Sequence, residues 1–301
     1  MAELEGKQVL VTGGAGFIGS HIADALVGDN DVTVLDDLSS GRRENVPEEA
    51  TFIEGDVRDA AALADAGEAD VIFHEAAVVS VAESVENPQD CHAVTTDGTI
   101  QVLEFARQHD ARVVLASSAA IYGDPESVPI TEDAPKKPSS PYGVDKLTAD
   151  HYTRLYADLY GLPTVALRYF NVYGPGQTAG DYSGVISIFR EQALADEPLT
   201  VHGDGDQTRD FVHVDDVVEA NLAAATTDAT DEAFNVGTGT ETSVLELAET
   251  IREVADSDSD VVHEDAREGD IDRSLADVSK AREQLEYEPS VALATGLATL
   301  F

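Results

Sequence analysis

The sequence has few basic residues, a single cysteine and no long apolar run. Lysine and arginine number 18 against 59 aspartates and glutamates, which gives a net charge of −41. So few cations argue against a nucleic-acid partner, which requires basic patches. The lone Cys91 cannot form an internal disulfide, and this favours a cytoplasmic protein. No apolar stretch reaches the roughly 18 residues of a membrane span, and no cluster of histidines or carboxylates has the spacing of metal ligands.

The acidic residues are spread along the whole chain and form no tail. This distribution predicts an acidic shell over the entire surface and not an acidic interaction segment. Such a shell repels itself in dilute salt, whereas molar salt shortens the Debye length to about 3 Å and removes the penalty. We therefore expect a protein from a salt-loaded, halophilic cytoplasm. The alternative is an ordinary acidic enzyme.

The first half of the chain alternates short β-branched runs with longer helical patterns. Strands are predicted at Gln8–Thr12, Val32–Leu35, Thr51–Glu54, Val71–His74, Val113–Ser117 and Thr164–Arg168. Helices are predicted at Phe17–Val27, Ala60–Asp65, Thr96–Gln108 and Tyr142–Tyr160. Repeated βα units of this length imply an α/β fold with a doubly wound, parallel Rossmann sheet.

The pattern changes after Gly174, where a stretch rich in glycine, aspartate and tyrosine predicts a loop. The later predicted elements are helices at Val185–Ala195, Asp215–Ala225 and Val244–Val254 and strands at Leu199–His202 and Phe234–Val236. We expect residues 1–174 to form the main domain and residues 175–301 to form mostly a smaller α/β lobe over the carboxyl edge of the sheet. Segments near 211–237 are expected to return to the main sheet.

A glycine-rich turn connects the first predicted strand to the first predicted helix. It reads Gly13-Gly14-Ala15-Gly16-Phe17-Ile18-Gly19. Gly13 permits the tight turn, Gly16 lets the backbone approach a pyrophosphate, and Gly19 lets the helix pack closely on the strand. The helix N-terminus, at Phe17 and Ile18, supplies amides and a positive dipole end to the phosphates. The turn therefore predicts a dinucleotide site.

Asp36 ends the second predicted strand, about 20 residues beyond the turn, where a carboxylate binds the ribose diol. Its charge would repel a 2′-phosphate, so NAD is favoured over NADP. Arg42 and Arg43 follow closely and either soften this preference or balance surface charge. Asp56, near the end of the third predicted strand, either faces the adenine or caps the next helix. The residues assigned to this side of the cofactor are Asp36, Asp37, Asp56 and Val57.

Tyr142 and Lys146 are four residues apart on a predicted helix, so their side chains share one face. An ammonium beside a phenol favours the phenolate and lowers its pKa from the usual value near 10. Ser118 follows a predicted strand at the carboxyl edge of the sheet, where its hydroxyl can bond the same substrate oxygen. Behind a dinucleotide turn, this triad predicts removal of a carbinol proton while a hydride moves to NAD.

Six segments, spread over nearly the whole chain, match one family as a set. They are Thr12–Gly19, Ser117–Gly123, Ser140–Lys146, Leu167–Pro175, Gly203–Val214 and Arg267–Asp270. The set resembles the extended short-chain dehydrogenase/reductases that act on nucleotide sugars, and among these it looks most like the UDP-glucose 4-epimerases.

The resemblance implies a role for each matching residue. Tyr142 would be the acid and base, Lys146 its activator and a ligand of the nicotinamide ribose, and Ser118 the hydrogen-bond donor to the substrate. Further cofactor contacts are implied at Ala76, Ala77, Val79, Tyr169 and Phe170. The UDP-sugar would be held by Asn171, Arg209, Arg267, Asp270 and Ser274. The guanidinium forks of the two arginines suit a diphosphate.

Two positions affect which substrates the site can hold. Thr95 stands where the family usually has an asparagine, which removes one expected anchor at the base of the site. Ser274 falls where family members carry either a bulky or a small residue beside the sugar. A small side chain there leaves room for an N-acetylated UDP-hexose.

The resemblance implies NAD-dependent epimerisation at carbon 4 of a UDP-hexose through a transient 4-keto sugar, by a homodimer that pairs through Thr96–Gln108 and Tyr142–Tyr160. Ala119 and Ala120 follow Ser118 where a dehydratase needs a carboxylate pair and a decarboxylase shows a glutamate, so both are disfavoured. A UDP-glucuronate epimerase stays open. A non-catalytic dinucleotide sensor would be expected to lack the tyrosine–lysine pair.

The acidic shell predicts a salt requirement. The midpoint of thermal unfolding and the activity should both rise from dilute buffer to molar KCl, because screening relieves the repulsion among surface carboxylates. Circular dichroism during heating measures the midpoint. Full stability and activity without added salt would contradict the halophile hypothesis.

Overall fold

The structure, a computed structural model, describes residues 4–177, 184–266 and 271–301. The strands found there are β1 (Gln8–Thr12), β2 (Asp31–Asp36), β3 (Thr51–Glu54), β4 (Val71–His74), β5 (Arg112–Ser118), β6 (Thr164–Tyr169), β7 (Asn171–Tyr173), β8 (Leu199–His202), β9 (Thr208–Arg209), β10 (Phe211–His213), β11 (Glu232–Val236), β12 (Thr242–Ser243) and β13 (Val261–Glu264). The α-helices are α1 (Phe17–Leu26), α2 (Ala60–Asp65), α3 (Val81–Glu86), α4 (Pro88–His92), α5 (Gly98–His109), α6 (Pro141–Tyr160), α7 (Val185–Leu194), α8 (Val214–Thr226), α9 (Val244–Val254), α10 (Ser279–Leu285) and α11 (Leu293–Ala298).

Seven strands form one parallel sheet in the order β11-β6-β5-β4-β1-β2-β3. Successive residues of β1 point to opposite faces: Val9 and Val11 pack in one core cluster and Leu10 in another. Helices α1 and α8 cover the first face, while α2, α5 and α6 cover the second. The doubly wound α/β class predicted from the sequence is therefore confirmed.

The predicted elements agree closely with the observed ones in the large sheet. The predicted bounds are exact for β1, β3, β4, α2 and α9, and most other elements differ from the prediction by one or two residues. The helix predicted at Thr96–Gln108 differs more, because a π-helical turn at Ala93–Asp97 precedes α5. The short helices α3 and α4 were not predicted.

The second half of the chain contributes to both the main sheet and a smaller group of elements. Helix α8 packs beside α1, and β11 adds the seventh strand next to β6, so residues 214–236 lie on the large sheet. β8 and β13 pair in parallel, and α7 and α9 pack around a separate apolar cluster with them. The elements around this cluster form the smaller lobe, beside the carboxyl edge of the main sheet. In the described ranges, no helix is both long and apolar enough to span a bilayer.

A buried ion pair joins β6 to α6 beneath the end of β5. Arg168, which is 2% exposed, donates from Nε to Asp150 Oδ2 at 2.9 Å and from Nη2 to Oδ1 at 3.1 Å. Ser117 Oγ donates to the same carboxylate at 3.0 Å. Burial raises the pKa of Asp150, but the guanidiniums of Arg168 and Arg154 outweigh it and hold the pKa below its usual value. The pair thus fixes α6 relative to the strand that carries Ser118.

Breaking this pair should destabilise the fold. Asp150→Ala leaves the Arg168 charge buried without its partner, which should cost about 3–5 kcal/mol in free energy of unfolding. Urea denaturation in molar KCl measures this quantity. Asp158→Ala is the matched control, because Asp158 is exposed on the same helix and interacts with the like-charged Asp231. Equal losses in the two variants would show that the buried pair has no special role.

Candidate active site

The glycine-rich turn lies between β1 and α1, and its backbone packs tightly. Gly13 has a φ of +72°, and a Cβ there would sit 2.6 Å from the backbone nitrogen of Ala76. A Cβ on Gly19 would collide with the carbonyl group of Gly13. These positions therefore accept only glycine, as the sequence predicts for a close approach of helix, strand and ligand.

The N-terminus of α1 fits a pyrophosphate. Gly16 is its N-cap residue and has no side chain to bond the first amides, and no acidic residue occurs in the first turn. This is notable in a chain with 59 carboxylates, because an aspartate or glutamate usually stabilises such a position. The amides after Gly16, at Phe17 and Ile18, and the positive dipole end are thus suited to phosphate oxygens.

Asp36, at the end of β2, supports the turn directly. Its Oδ2 accepts the N–H of Ala15 at 2.9 Å, and its Oδ1 accepts the N–H of Leu38 at 2.8 Å. Burial raises the pKa of this carboxyl group. Each carboxylate oxygen can accept a further hydrogen bond, so the position predicted for a ribose diol fits NAD. Asp37 is exposed and accepts the N–H of Ser39.

The two arginines after Asp36 have surface partners. Arg43 stacks on the Phe52 ring at 4.7 Å, and Arg42 lies 3.5 Å from Glu44. These contacts favour the interpretation that both arginines balance surface charge.

Asp56 lies two residues past the end of β3 and is paired with Arg58. The Arg58 hydrogen bond is the main cause that holds the pKa of Asp56 below its usual value. The cap of α2 is Asp59, whose carboxylate accepts the N–H of Ala61 at 2.8 Å. The alternative in which Asp56 caps this helix is therefore wrong. Val57 beside it is buried.

Ser118 and Tyr142 come together at the carboxyl edge of the sheet. Ser118 is the last residue of β5, and its Oγ accepts the N–H of Ala120 at 3.1 Å. Tyr142 is the second residue of α6, which begins at Pro141 after the N-cap Ser140. The Ser118 side chain lies beside the Tyr142 phenol and lowers the pKa of that phenol. The pairing predicted from the sequence is thus present in the folded chain.

Lys146 lies one turn along α6 and is buried. Its Nζ donates to the carbonyl oxygen of Ala116 at 2.7 Å and is 6.0 Å from the centre of the Tyr142 ring. Burial lowers the pKa of this ammonium, while the nearby Glu75 carboxyl raises it. The hydrogen bond to Ala116 anchors the charge on the strand that ends at Ser118.

The expected lowering of the Tyr142 pKa is not found in the chain by itself. Burial raises this pKa, and the nearby Glu75 carboxyl group adds to the rise, against a smaller lowering by the Ser118 hydroxyl. The reason is that a buried phenolate loses its hydration, and this loss outweighs the favourable interaction with Ser118. The side chains thus hold Tyr142 as a neutral phenol.

The other predicted cofactor residues follow β4 and β6. Ala76 and Ala77 are partly buried after β4, and Ala76 packs against the turn, whereas Val79 is 69% exposed. Tyr169, the last residue of β6, is 6% exposed, and Phe170, directly after β6, is 7% exposed. All five lie at or just beyond the carboxyl edge, where the sequence predicts the cofactor.

The predicted substrate residues that the structure describes are Asn171 in β7, Arg209 in β9 and Ser274. Asn171 Nδ2 donates to the carbonyl of Asp210 at 3.1 Å, and Arg209 Nη1 donates to the carbonyl of Ile271 at 2.6 Å. The N–H of Ser274 donates to the carbonyl of Thr208, so Ser274 lies beside Arg209. Arg267 and Asp270 lie outside the described residues.

Sequence reasoning missed two acidic residues that shape the site. Asp210 is fully buried, and its carboxylate accepts the N–H groups of Thr238, Gly239 and Ala276, which ties the Arg209 segment to two loops. The sequence signal for Asp210 was its position directly after Arg209, in a segment that matches the family. Glu75 follows β4 and accepts the hydroxyl of Tyr169 at 2.9 Å.

Thr95, in place of the usual asparagine, lies in the π-helical turn before α5. The side chain is 1% exposed and lies beside the thiol of Cys91. π-Helical turns frequently occur at functional sites. Thr95 is therefore enclosed at the base of the site.

Comparison with known proteins shows the family. The chain matches the model of the NAD dependent epimerase/dehydratase family over residues 9–237. A UDP-glucose 4-epimerase of Mycolicibacterium smegmatis is 40% identical over 301 residues, which cover 97% of this chain and 96% of that protein. A crystal structure of UDP-glucose 4-epimerase with UDP-glucose, from Thermotoga maritima, has a TM-score of 0.93 and 39% identity and covers 97% of this chain and 96% of that chain.

Related structures also include a different reaction. A dTDP-glucose 4,6-dehydratase from Streptomyces venezuelae, with NAD bound, has a TM-score of 0.88 and 33% identity and covers 96% of this chain and 94% of that chain. The similarity thus spans nearly the whole chain and agrees with a dinucleotide turn and a serine–tyrosine–lysine group at one sheet edge. The chain therefore belongs to the NAD dependent epimerase/dehydratase family and is an NAD-dependent enzyme that resembles UDP-glucose 4-epimerases.

Proposed function

We propose that this enzyme interconverts UDP-hexoses by epimerisation at carbon 4 of the sugar, with UDP-glucose and UDP-galactose as the first pair to test. The observation that carries the proposal is the group at the end of β5: Ser118 lies beside the Tyr142 phenol, and the Lys146 ammonium, one turn along the same helix, is 6.0 Å from the centre of the Tyr142 ring. This group lies at the edge of the sheet where the glycine-rich turn ends, so a sugar hydroxyl and the cofactor can meet there.

Each side chain of the group has a separate task with the sugar oxygen. NAD, which the glycine-rich turn and Asp36 would hold, would supply reversible hydride transfer at carbon 4 of the sugar. As a phenolate, Tyr142 removes the proton of the 4-hydroxyl group and becomes a neutral phenol, which later gives the proton back, and Ser118 holds the same oxygen by a hydrogen bond. The Lys146 ammonium stabilises the phenolate. Lowering a phenol pKa from 10 toward 7 requires about 4 kcal/mol of differential stabilisation, and the burial of Tyr142, which raises its pKa, adds to this requirement.

The surroundings of Ser118 favour epimerisation over dehydration. Ala119 and Ala120 form the turn after Ser118 and bring no carboxylate to the sugar. Elimination of water needs an acid and base pair at that place. The carboxyl group of Glu75 at the same edge is bonded to the phenol of Tyr169.

The smaller lobe supplies groups suited to a nucleotide diphosphate. We assign the sugar and diphosphate to Asn171 and Arg209 and, outside the residues that the structure describes, to Arg267 and Asp270. The guanidinium of Arg209 is anchored by the carbonyl of Ile271, which limits its freedom before the ligand binds. Ser274 beside it is small, which leaves room for an N-acetyl group on the sugar.

Turnover of UDP-galactose tests the function. The purified protein with NAD should convert UDP-galactose to a mixture with UDP-glucose in molar KCl, without net formation of NADH, as measured by proton NMR. Conversion of UDP-glucuronate but of neither UDP-hexose would overturn the proposal in favour of a glucuronate epimerase. No turnover of any UDP-sugar with NAD bound would support the non-catalytic reading.

Tyr142→Phe removes the proton acceptor and keeps the ring. We expect kcat to fall by at least about 100-fold, because general acid–base catalysis contributes about 10²–10⁴-fold. NAD binding, measured by calorimetry, should change little. Tyr160→Phe, at the exposed end of the same helix, is the matched control and should retain activity. A Tyr142→Phe enzyme with near-normal kcat would contradict the assigned role.

We also propose that two copies pair through α5 and α6, which pack against each other. The outer face of α6 carries an apolar stripe in a chain whose surface is otherwise acidic. Its members are Val144, Tyr152, Leu155 and Leu159. Leu159 is 61% exposed, and an exposed row of this kind on a soluble protein marks an interaction surface. A second copy, related by a two-fold axis, would bury the same stripe on both chains.

Charges placed in this stripe should separate the subunits. The double variant Leu155→Asp and Leu159→Asp should be monomeric, with a mass near 31.9 kDa by light scattering in molar KCl, whereas the unmodified protein should show twice that mass. Val262→Asp, an exposed apolar residue of β13, is the control and should leave the mass unchanged. An unmodified protein that is monomeric in high salt would refute the dimer.

A further inference from the structure

Helix α6 cannot supply a hydrogen-bond partner for the amide of Tyr142 from its own first turn. The first amides of a helix come before the intrahelical bonds, which begin in α6 where the N–H of Val144 donates to the carbonyl of Ser140. Pro141 has no N–H. The N-cap Ser140 is already engaged, because its Oγ accepts the N–H of Gly143 at 3.1 Å. Among these residues, Tyr142 therefore has the amide that depends on another part of the fold.

The partner of this amide is the side chain of Ser84 on α3. Its Oγ accepts the N–H of Tyr142 at 3.1 Å and donates its own proton to the carbonyl of Val81 at 2.6 Å. A serine hydroxyl has one proton, and here that proton is used within α3, so the oxygen acts toward Tyr142 as an acceptor. Ser84 is fully buried, so water does not compete for this bond.

A second contact holds the same turn of α6 against the segment after Ser118. A Cβ on Gly143 would sit 2.8 Å from the carbonyl oxygen of Ala120, so the two backbones touch with no side chain between them. The Oγ of Ser118 accepts the N–H of Ala120, which ties that segment to the end of β5. The start of α6 is therefore fastened at Tyr142 to α3 and at Gly143 to the turn after β5.

We propose that Ser84 is a positioning residue, whose hydroxyl fixes the backbone of Tyr142 and so keeps its phenol beside Ser118. The proposal rests on the proposed function, in which Tyr142 exchanges a proton with the sugar. Such a group must stay within hydrogen-bond reach of one oxygen, whereas the ends of helices fray. Because Ser84 is fully buried, it acts on the sugar chemistry through Tyr142.

The bond also connects the tyrosine to the segment that follows β4. α3 begins at Val81, after the N-cap Ser80, and so continues directly from the residues that are predicted to line the cofactor. Ala76, earlier in the same segment, lies against the backbone of the glycine-rich turn. The segment after β4 thus supports the site twice, through Ala76 at the turn and through Ser84 at the start of α6.

Exchange of the Tyr142 amide proton with ²H₂O tests the hydrogen bond directly. The chain has nine tyrosines, so labelling with ¹⁵N-tyrosine gives a simple spectrum, in which the Tyr142 signal is identified by its loss in Tyr142→Phe. In the NAD-saturated protein in molar KCl, this proton should exchange slowly. In Ser84→Ala it should exchange at least about tenfold faster, because the N–H has lost its acceptor. Alanine favours a helix, so α3 should stay folded.

Two controls separate the loss of this bond from a general loosening of α6. Thr148→Ala removes another hydroxyl of the same helix, which donates to the carbonyl of Val144 at 2.8 Å, and should leave the exchange of the Tyr142 amide unchanged. The amide of Tyr156, in the interior of α6, should exchange at the same rate in every variant. A Tyr142 amide that exchanges at the same rate in Ser84→Ala and the unmodified protein would overturn the proposal.

Kinetics measure whether the bond positions the phenol. If the enzyme epimerises UDP-galactose, Ser84→Ala should lower kcat about tenfold with little change in KM, because a small displacement of a reacting group slows the chemical step while the contacts with the sugar remain. Faster exchange of the Tyr142 amide with an unchanged kcat, or a rise in KM alone, would contradict the positioning role.

The two proposals can fail separately. If no UDP-sugar is turned over, the proposed function fails, while the exchange rate of the amide still decides whether Ser84 holds the backbone of Tyr142. If UDP-galactose is epimerised and the exchange rate does not respond to Ser84→Ala, the proposed function stands and the role of Ser84 is refuted.

Discussion

The backbone of the turn after β1 lies directly against the backbone of the segment after β4. A methyl group on Gly13 would sit 2.6 Å from the nitrogen of Ala76, so the two segments touch with no side chain between them. This contact sets the carboxyl edge at which the cofactor turn and the residues after β4 meet. His74 reinforces it, since its ring bonds Thr12 Oγ1 at 2.7 Å and Thr99 Oγ1 at 3.0 Å. The strand, the turn and α5 are thereby joined at one point.

The contacts near this edge set the positions of Ser118, Tyr142 and Lys146. Arg168 and Asp150 fix α6 against β6, and Lys146 bonds the carbonyl of Ala116 on β5. Tyr142 is then brought to the end of the strand that presents Ser118. Neither α6 nor β5 alone would place the phenol, because the first residues of a helix are free to vary unless the helix is docked. The buried ion pair thus has a functional consequence as well as a structural one.

The sequence predicts this arrangement where the signal is local and periodic. Gly13, Asp36 and the spacing of Tyr142 from Lys146 each reflect a constraint within one turn or one strand, so the sheet class and the grouping of Ser118, Tyr142 and Lys146 were predictable. The π-helical turn around Thr95 was not, because its extra residue is set by packing and leaves no periodic trace. The role of Glu75 was also hidden, since a lone glutamate after a strand shows no partner until the sheet brings Tyr169 beside it.

The rise in the pKa of Tyr142 was not predictable from the sequence for a similar reason. Sequence spacing places an ammonium near a phenol, but it does not report burial, and burial decides the sign. An internal partner explains how an enzyme with so acidic a surface can keep the Arg168 cation in its core, although burial opposes that charge. The carboxylates of the shell act through solvent and are screened by salt, whereas Arg168 pairs with Asp150 inside the protein, where salt screens much less. The buried charge is therefore set by its immediate partner, and the shell can respond to salt without changing it.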